Sequence, residues 1–140
     1  RGSEIPDLAG WRILAVDDNK TNCYIVSKFL AQTKATVLVA NGGLAALEVL
    51  KEQEQDVVLL DISMPDMDGP TVFDQMQSLS SMSYMPKVIA LTAHTHADAR
   101  RNYRRMGMDG YLSKPLKKSR LFDELGRLGV KSPKPNPHKI

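Results

Sequence analysis

The chain is poor in several things on which whole classes of protein depend. It has one cysteine, Cys23, so no internal disulfide framework is available and a reducing compartment is implied. No apolar run approaches the roughly 20 residues of a membrane span, and the opening residues carry no signal-peptide core. Its three histidines, His94, His96 and His138, stand at no metal-ligand spacing and read as exposed or structural. Aromatic residues make up only 6% and are not interleaved with basic ones, and the formal net charge is only +3, which argues against nucleic acid as a direct partner.

What is present is an ordinary globular composition, 42% hydrophobic and 25% charged over 140 residues. A chain of about this length buries roughly two thirds of its unfolded surface and needs no disulfide or metal staple. Charge is the uneven feature. Between His94 and Lys131 ten Lys or Arg face four acids, an excess of six that leaves the remainder of the chain acidic. Several of the acids crowd around Asp17, Asp18, Asp61, Asp66 and Asp68, so one small domain is expected to carry an acidic pole suited to a cation and a basic flank suited to a partner.

Short apolar runs alternate with segments of helical spacing. Arg12–Val16, Thr36–Ala40, Asp56–Leu60, Lys87–Leu91 and Gly110–Leu112 are too short for buried helices and rich in branched residues, so they read as strands covered on both faces. Between them, Val26, Phe29 and Leu30, then Gly43, Ala46, Leu47 and Leu50, then Val72, Phe73, Met76 and Leu79 recur at helical intervals. Ala99, Tyr103 and Met106, and Leu121, Leu125 and Leu128, extend the series to five helices. Strands alternating with helices predict βαβ units, hence an α/β, doubly wound, five-stranded parallel sheet in a three-layer sandwich. Residues 1–10 read as a cloning scar (Arg1-Gly2-Ser3) plus linker, 11–130 as the domain, and 131–140, with its alternating prolines, as an extended tail or linker.

In an open parallel sheet ligands bind beyond the carboxyl ends of the strands. The first predicted strand runs into Asp17-Asp18, the third into Asp61, the fourth into Thr92 and the fifth into Ser113-Lys114-Pro115, while the second ends in Asn41-Gly42-Gly43 with nothing ionisable. Carboxylates held together repel, and a divalent cation resolves the conflict; hard oxygen ligands with room for water favour Mg²⁺. Thr92 and Lys114 add a two-point grip for an anionic group. Metal, nucleophilic carboxylate, hydroxyl and ammonium together describe phosphoryl transfer onto an aspartate.

Asp17-Asp18-Asn19, the run from Asp61 to Gly69, Leu91-Thr92-Ala93 and Lys114-Pro115 together resemble the receiver (response regulator, CheY-like) domain of two-component signalling, from about Arg12 to Leu128. The resemblance implies the strand order 2-1-3-4-5 of the flavodoxin-like fold and a cis Lys114-Pro115 bond. It implies that Asp61 is the phosphoacceptor, that Asp18, Asp61 and the backbone carbonyl of Ser63 ligate Mg²⁺ with Asp17 assisting, and that Thr92 and Lys114 hold the phosphoryl oxygens. Tyr111 falls at the position of the switch aromatic, so Thr92 and Tyr111 form the switch that reshapes the face of the fourth helix, fifth strand and fifth helix. Ser63 and His94 flank the route of water and bear on the phosphoryl lifetime.

Asn19 and Asn22 make the chain most similar to receivers of hybrid sensor histidine kinases. The implied partners are a histidine kinase dimerisation/phosphotransfer domain or a histidine phosphotransfer protein, with no membrane contact by this domain. A weak homodimer through the fourth-helix face is a further pairing the resemblance allows, and Arg100, Arg101, Arg104 and Arg105 form an exposed stripe there. The expected location is cytoplasmic, including as the cytoplasmic part of a membrane-bound kinase. The domain is expected to be a signalling module that catalyses only its own phosphorylation and dephosphorylation, not an enzyme. Alternatives remain: a stand-alone regulator, a degenerate docking module, or a phosphohydrolase with an aspartate nucleophile, for which Ser63 stands where a second carboxylate is wanted. Cys23 is expected to be buried, and the methionines to be filler and loop residues.

Overall fold

The computed structural model describes residues 5–79, 84–93 and 97–135. Expectations for His94, His96, His138, Met82, the first residues and the end of the tail therefore fall outside the described residues. The elements alternate in the predicted order: β1 (Arg12–Val16), α1 (Lys20–Leu30), β2 (Thr36–Ala40), α2 (Gly43–Glu52), β3 (Val57–Asp61), α3 (Gly69–Met76), β4 (Lys87–Thr92), α4 (Ala97–Met106), β5 (Gly110–Ser113) and α5 (Lys118–Arg127). The strands form one parallel sheet in the order β2-β1-β3-β4-β5. The Lys114-Pro115 bond is cis.

Strand alternation divides the core in two. Leu14, Val16, Val58, Leu60, Val88 and Ala90 face one side, against Ala46, Leu47 and Leu50 of α2, Val72, Phe73 and Met76 of α3, and Ala99 and Tyr103 of α4. Ile13, Ala15, Val57, Leu59, Ile89 and Leu91 face the other, against Val26 and Leu30 of α1 and Leu121 and Leu125 of α5. All five residues of β3 are buried, which is why this central strand reads as an unbroken apolar run. Its terminal Asp61 is thereby carried to the sheet edge by a strand sealed on both faces.

Three local differences have physical causes. The third strand is shifted one residue, to Val57–Asp61, leaving Asp56 outside it, and the fourth and fifth each run one residue further than the apolar runs, so Asp61, Thr92 and Ser113 are themselves ladder residues. A backbone ladder does not require apolar side chains, and Asp61 pairs with Leu91 while Thr92 pairs with Ser113. Met106, expected on the core face of the fourth helix, is 41% exposed. The helix ends there: Gly107 adopts φ 106°, the Gly107 amide donates to Arg104 and the Met108 amide to Tyr103, and Met108 enters the core instead. Asp66 and Asp68, grouped with the acidic pole by charge counting, are helix caps. The Asp66 carboxylate accepts from the amides of Gly43 and Leu44 at the start of α2, and Asp68 accepts from the Thr71 amide at the start of α3.

The flanks set aside as linker and tail are packed on the amino edge of the sheet. Leu8 is fully buried in the core beneath α1 and α5, and the Lys134 amide donates to the Ala9 carbonyl. Trp11 Nε1 donates to the Ser132 carbonyl at 2.7 Å. The buried Asp56 carboxylate accepts from the Arg12 amide at 2.8 Å, the Tyr84 hydroxyl at 3.0 Å and Lys134 Nζ at 2.6 Å. The bond to Asp56 raises the Lys134 pKa above the ordinary lysine value against the opposing effect of burial.

Lys134→Ala is expected to destabilise the domain by about 1–3 kcal/mol in urea unfolding, because a buried carboxylate loses its cation. Since the Lys134 pKa is raised, this contribution should be constant through neutral pH and fade only as pH rises through the folded-state value above the lysine range. Asp66 behaves oppositely. The Gly43 and Leu44 amides hold its pKa below the ordinary carboxylate value, so the stability lost in Asp66→Ala should be present at neutral pH and vanish as acidification passes through that depressed value.

Candidate functional site

The carboxyl ends of β1, β3, β4 and β5 open onto one rim, and the polar residues predicted there converge. Parallel pairing without slippage sets Val16 beside Leu60 and Asp61 beside Leu91. Asp17 and Asp18 leave β1 and Asp61 ends β3, and one oxygen from each of the three carboxylates lies within 4.8 Å of the others. Lys114, just past β5, reaches across: its Nζ is 2.7 Å from Asp61 Oδ1 and 3.4 Å from Asp17 Oδ2. The side chains of Asp17 and Asp61 are 4% and 2% exposed, so this charge cluster is largely shielded from water.

Backbone and amide donors fix each acid. The Asn19 amide donates to Asp17 Oδ1 at 2.9 Å and Asn22 Nδ2 to Asp17 Oδ2 at 3.2 Å. Asn19 is also the N-cap of α1, accepting from the amides of Thr21 and Asn22, so the turn that starts the helix also orients the acid. Asn41 Nδ2 donates to the Asp17 backbone carbonyl, as does the buried Cys23 thiol. Burial pushes that thiol up to about 11, with the Asp17 charge adding to the effect. The Ser63 amide donates to Asp61 Oδ1, which places the Ser63 backbone against the acid. Gly69 permits the tight return of the loop, since a Cβ there would lie 2.8 Å from the Asp61 carbonyl oxygen.

The cluster is electrostatically poised. Burial raises the Asp61 pKa above the ordinary value; the Lys114 bond opposes this and the Asp17 charge reinforces it. Burial lowers the Lys114 pKa, yet the bond to Asp61 and the fields of both acids outweigh it and leave the pKa raised. Asp61 Oδ2 is buried without a hydrogen-bond partner among the described residues. That orphaned oxygen and two neighbouring carboxylates make a hard-oxygen donor set that fits a small divalent cation. With an ammonium at hydrogen-bonding distance, the arrangement suits a carboxylate that attacks phosphorus while fixed charges balance the transferring group.

Not every predicted residue joins this cluster. Thr92 ends β4 on the same rim and is buried, but its hydroxyl accepts a bond from the Tyr103 hydroxyl at 3.2 Å. Tyr111 is half-buried, its hydroxyl held by Arg100 Nη1 at 2.5 Å and its ring 5.3 Å from the same guanidinium. It borders a groove of about 690 Å³ between α4 and α5, whose lining includes Arg104, Arg120 and Arg127. All four residues of the arginine stripe are exposed; Arg101 pairs with Asp98. A smaller cavity of about 320 Å³ beside the acids is lined by Ile25, Val26, Leu91, Lys114, Pro115 and Leu116, among others. Tyr103 and Asn41 are the residues that periodicity and strand-end reading missed. Helical periodicity shows Tyr103 only as core, and Asn41 carries no charge to mark it at a strand end.

Comparison with known proteins agrees with this architecture. The response regulator receiver domain family matches residues 13–126. The chain is 36% identical over 113 residues to the sensor protein GacS of Pseudomonas syringae, 79% of this chain but 12% of that protein. It is 38% identical over 109 residues to the aerobic respiration control sensor protein ArcB of Escherichia coli, 78% of this chain and 14% of that one. The chain thus spans only a small part of such relatives. Among solved structures, the receiver domain of a sensor histidine kinase from Pseudomonas aeruginosa superposes with a TM-score of 0.74 at 30% identity, covering 85% of this chain and 97% of that one. That structure holds a magnesium ion coordinated in its active site cleft. A CheY-type chemotaxis protein of Vibrio cholerae gives a TM-score of 0.77 at 28% identity, covering 85% of this chain and 98% of the other. With five parallel strands in the order 2-1-3-4-5 and acids gathered at their carboxyl rim, this chain belongs to the response regulator receiver domain family.

Proposed function

We propose that this domain is the phosphoacceptor receiver of a hybrid sensor histidine kinase, taking a phosphoryl group from a phosphohistidine onto Asp61. The observation that carries the reading is the placement of Lys114 Nζ 2.7 Å from a buried Asp61 that also has Asp17 and Asp18 beside it. In the transfer an Asp61 carboxylate oxygen forms a bond to phosphorus as the phosphorus–nitrogen bond of the donor breaks. The leaving imidazole nitrogen keeps the bonding pair and takes a proton from solvent. Asp17, Asp18, Asp61 and the Ser63 carbonyl would hold Mg²⁺, which when bound supplies positive charge to the phosphoryl oxygens.

The chain's own residues do the rest. Asn19 and Asn22 fix the Asp17 carboxylate, so the acids hold their places without thermal search. Lys114 offers its ammonium to the phosphoryl oxygens as the charge migrates, and Thr92 donates its hydroxyl to the product. Thr92 and Tyr111 then act as the switch, with Tyr111 leaving Arg100 and the α4–β5–α5 face changing shape. The donor is a histidine kinase phosphotransfer domain or a histidine phosphotransfer protein. Residues 11–130 form the receiver proper, its amino edge clasped by the flanks, and its setting is the cytoplasmic side of the parent kinase.

Incubation with acetyl phosphate and Mg²⁺ is expected to add one phosphoryl group by intact mass, with none added without metal or in Asp61→Asn. Lys114→Ala is expected to slow the addition on the order of 10²-fold, the scale of losing one fixed charge-stabilising donor. Multiple turnover of a small phosphate ester, abolished by Asp61→Asn, would instead identify a phosphohydrolase.

A further inference from the structure

The Thr92 hydroxyl at the rim is engaged by a helix residue, away from the carboxylates. It belongs to the α4-facing side of β4, continuing the alternation of Val88 and Ala90, and beneath it lies Tyr103, 8% exposed and part of the same core cluster. The Tyr103 hydroxyl donates to Thr92 Oγ1 at 3.2 Å, a buried contact between a strand end and the middle of α4. Meanwhile Asp61 Oδ2, on the neighbouring strand, has no hydrogen-bond partner among the described residues. The Thr92 hydroxyl therefore accepts from the helix and does not satisfy Asp61 Oδ2.

Three physical points give this contact a direction. A buried phenol needs a partner, and Thr92 supplies it in the resting form. A threonine has one dominant rotamer choice at a time because its Cβ is branched, so a hydroxyl turned toward α4 and one turned toward a group on Asp61 are alternatives. Tyr103 sits one helical turn from Arg100, whose guanidinium holds the Tyr111 hydroxyl, so the same helix carries the restraints on both Thr92 and Tyr111.

We propose that Tyr103 is a positioning residue that restrains Thr92 in the unphosphorylated form, and that modification of Asp61 exchanges the Tyr103–Thr92 bond for a Thr92–phosphoryl bond. This rests on the phosphoacceptor reading above and adds the resting partner of the threonine. The exchange breaks one neutral hydrogen bond and makes one to an anion, which is stronger. It frees the phenol in the centre of α4, so the helix repacks for a local reason. No covalent change beyond the phosphorylation itself is involved.

Beryllofluoride with Mg²⁺ as a phosphoryl mimic tests this. Tyr103→Phe keeps the ring and removes only the hydroxyl, and is expected to raise beryllofluoride affinity about fivefold, the factor matching one neutral hydrogen bond. In a Thr92→Val background the same substitution should change affinity by less than about twofold, because nothing remains to restrain. Unchanged affinity in Tyr103→Phe, or an equal gain with and without the Thr92 hydroxyl, would overturn the proposal. In the unaltered protein the Tyr103 ζ-carbon resonance should move on adding the mimic, and an unmoved resonance in the saturated complex would overturn it as well. Failure of the unaltered protein to bind the mimic at all would instead remove the phosphoacceptor reading on which the proposal stands.

Discussion

Three carboxylates gather at the carboxyl rim of the sheet, two of them sharing a single ammonium, and most of the surrounding structure serves to keep them there. Asp17 and Asp61 are almost wholly shielded from water, where like charges repel strongly. Lys114 answers the repulsion in part, and the fixed amides of Asn19 and Ser63 answer more of it. The remaining frustration is localised on one orphaned oxygen of Asp61. A strained electrostatic arrangement of this kind persists only on a rigid support, which explains why its members end buried strands or begin capped helices and do not ride on long loops.

The rim was legible in the sequence because parallel sheets obey two simple rules: buried strands read as apolar runs, and function gathers where those runs stop. Asp17, Asp18, Asp61 and Lys114 follow those rules and meet as expected. What the sequence pattern conceals is concealed for reasons of chemistry. Asp66 and Asp68 count as negative charge in any tally, yet each spends its charge on a helix N-terminus, a use that depends on a loop path no tally contains. Met106 fits the helical period, but the turn at Gly107 hands its core position to Met108. Tyr103 fits the period too, and the period describes its ring while saying nothing of its hydroxyl. Leu8 and Lys134 lie in segments whose composition reads as linker, and only tertiary packing shows their attachment.

The two halves of the core have different duties. The side under α1 and α5 is closed by apolar contacts and carries the Leu8 and Val130 ends of the domain. The side under α2, α3 and α4 contains a buried polar contact running from the rim into α4, Tyr103 to Thr92. Close-packed interiors shift between discrete arrangements in preference to deforming smoothly. A change of partner at Thr92 therefore has a ready path into α4 and a poor one into α1, an asymmetry set by which side of β4 the threonine faces.

The backbone bond between Lys134 and Ala9 brings the incoming and outgoing segments of the polypeptide within one hydrogen bond of each other, at the end of the sheet opposite Asp61. Any longer protein threaded through this point would carry the domain like a bulb on a double stem, with the acidic rim turned outward. Tension applied along both stems would load the bonds of Trp11 to Ser132 and of Lys134 to Asp56, which lie at the amino end of the strands, away from the acidic rim.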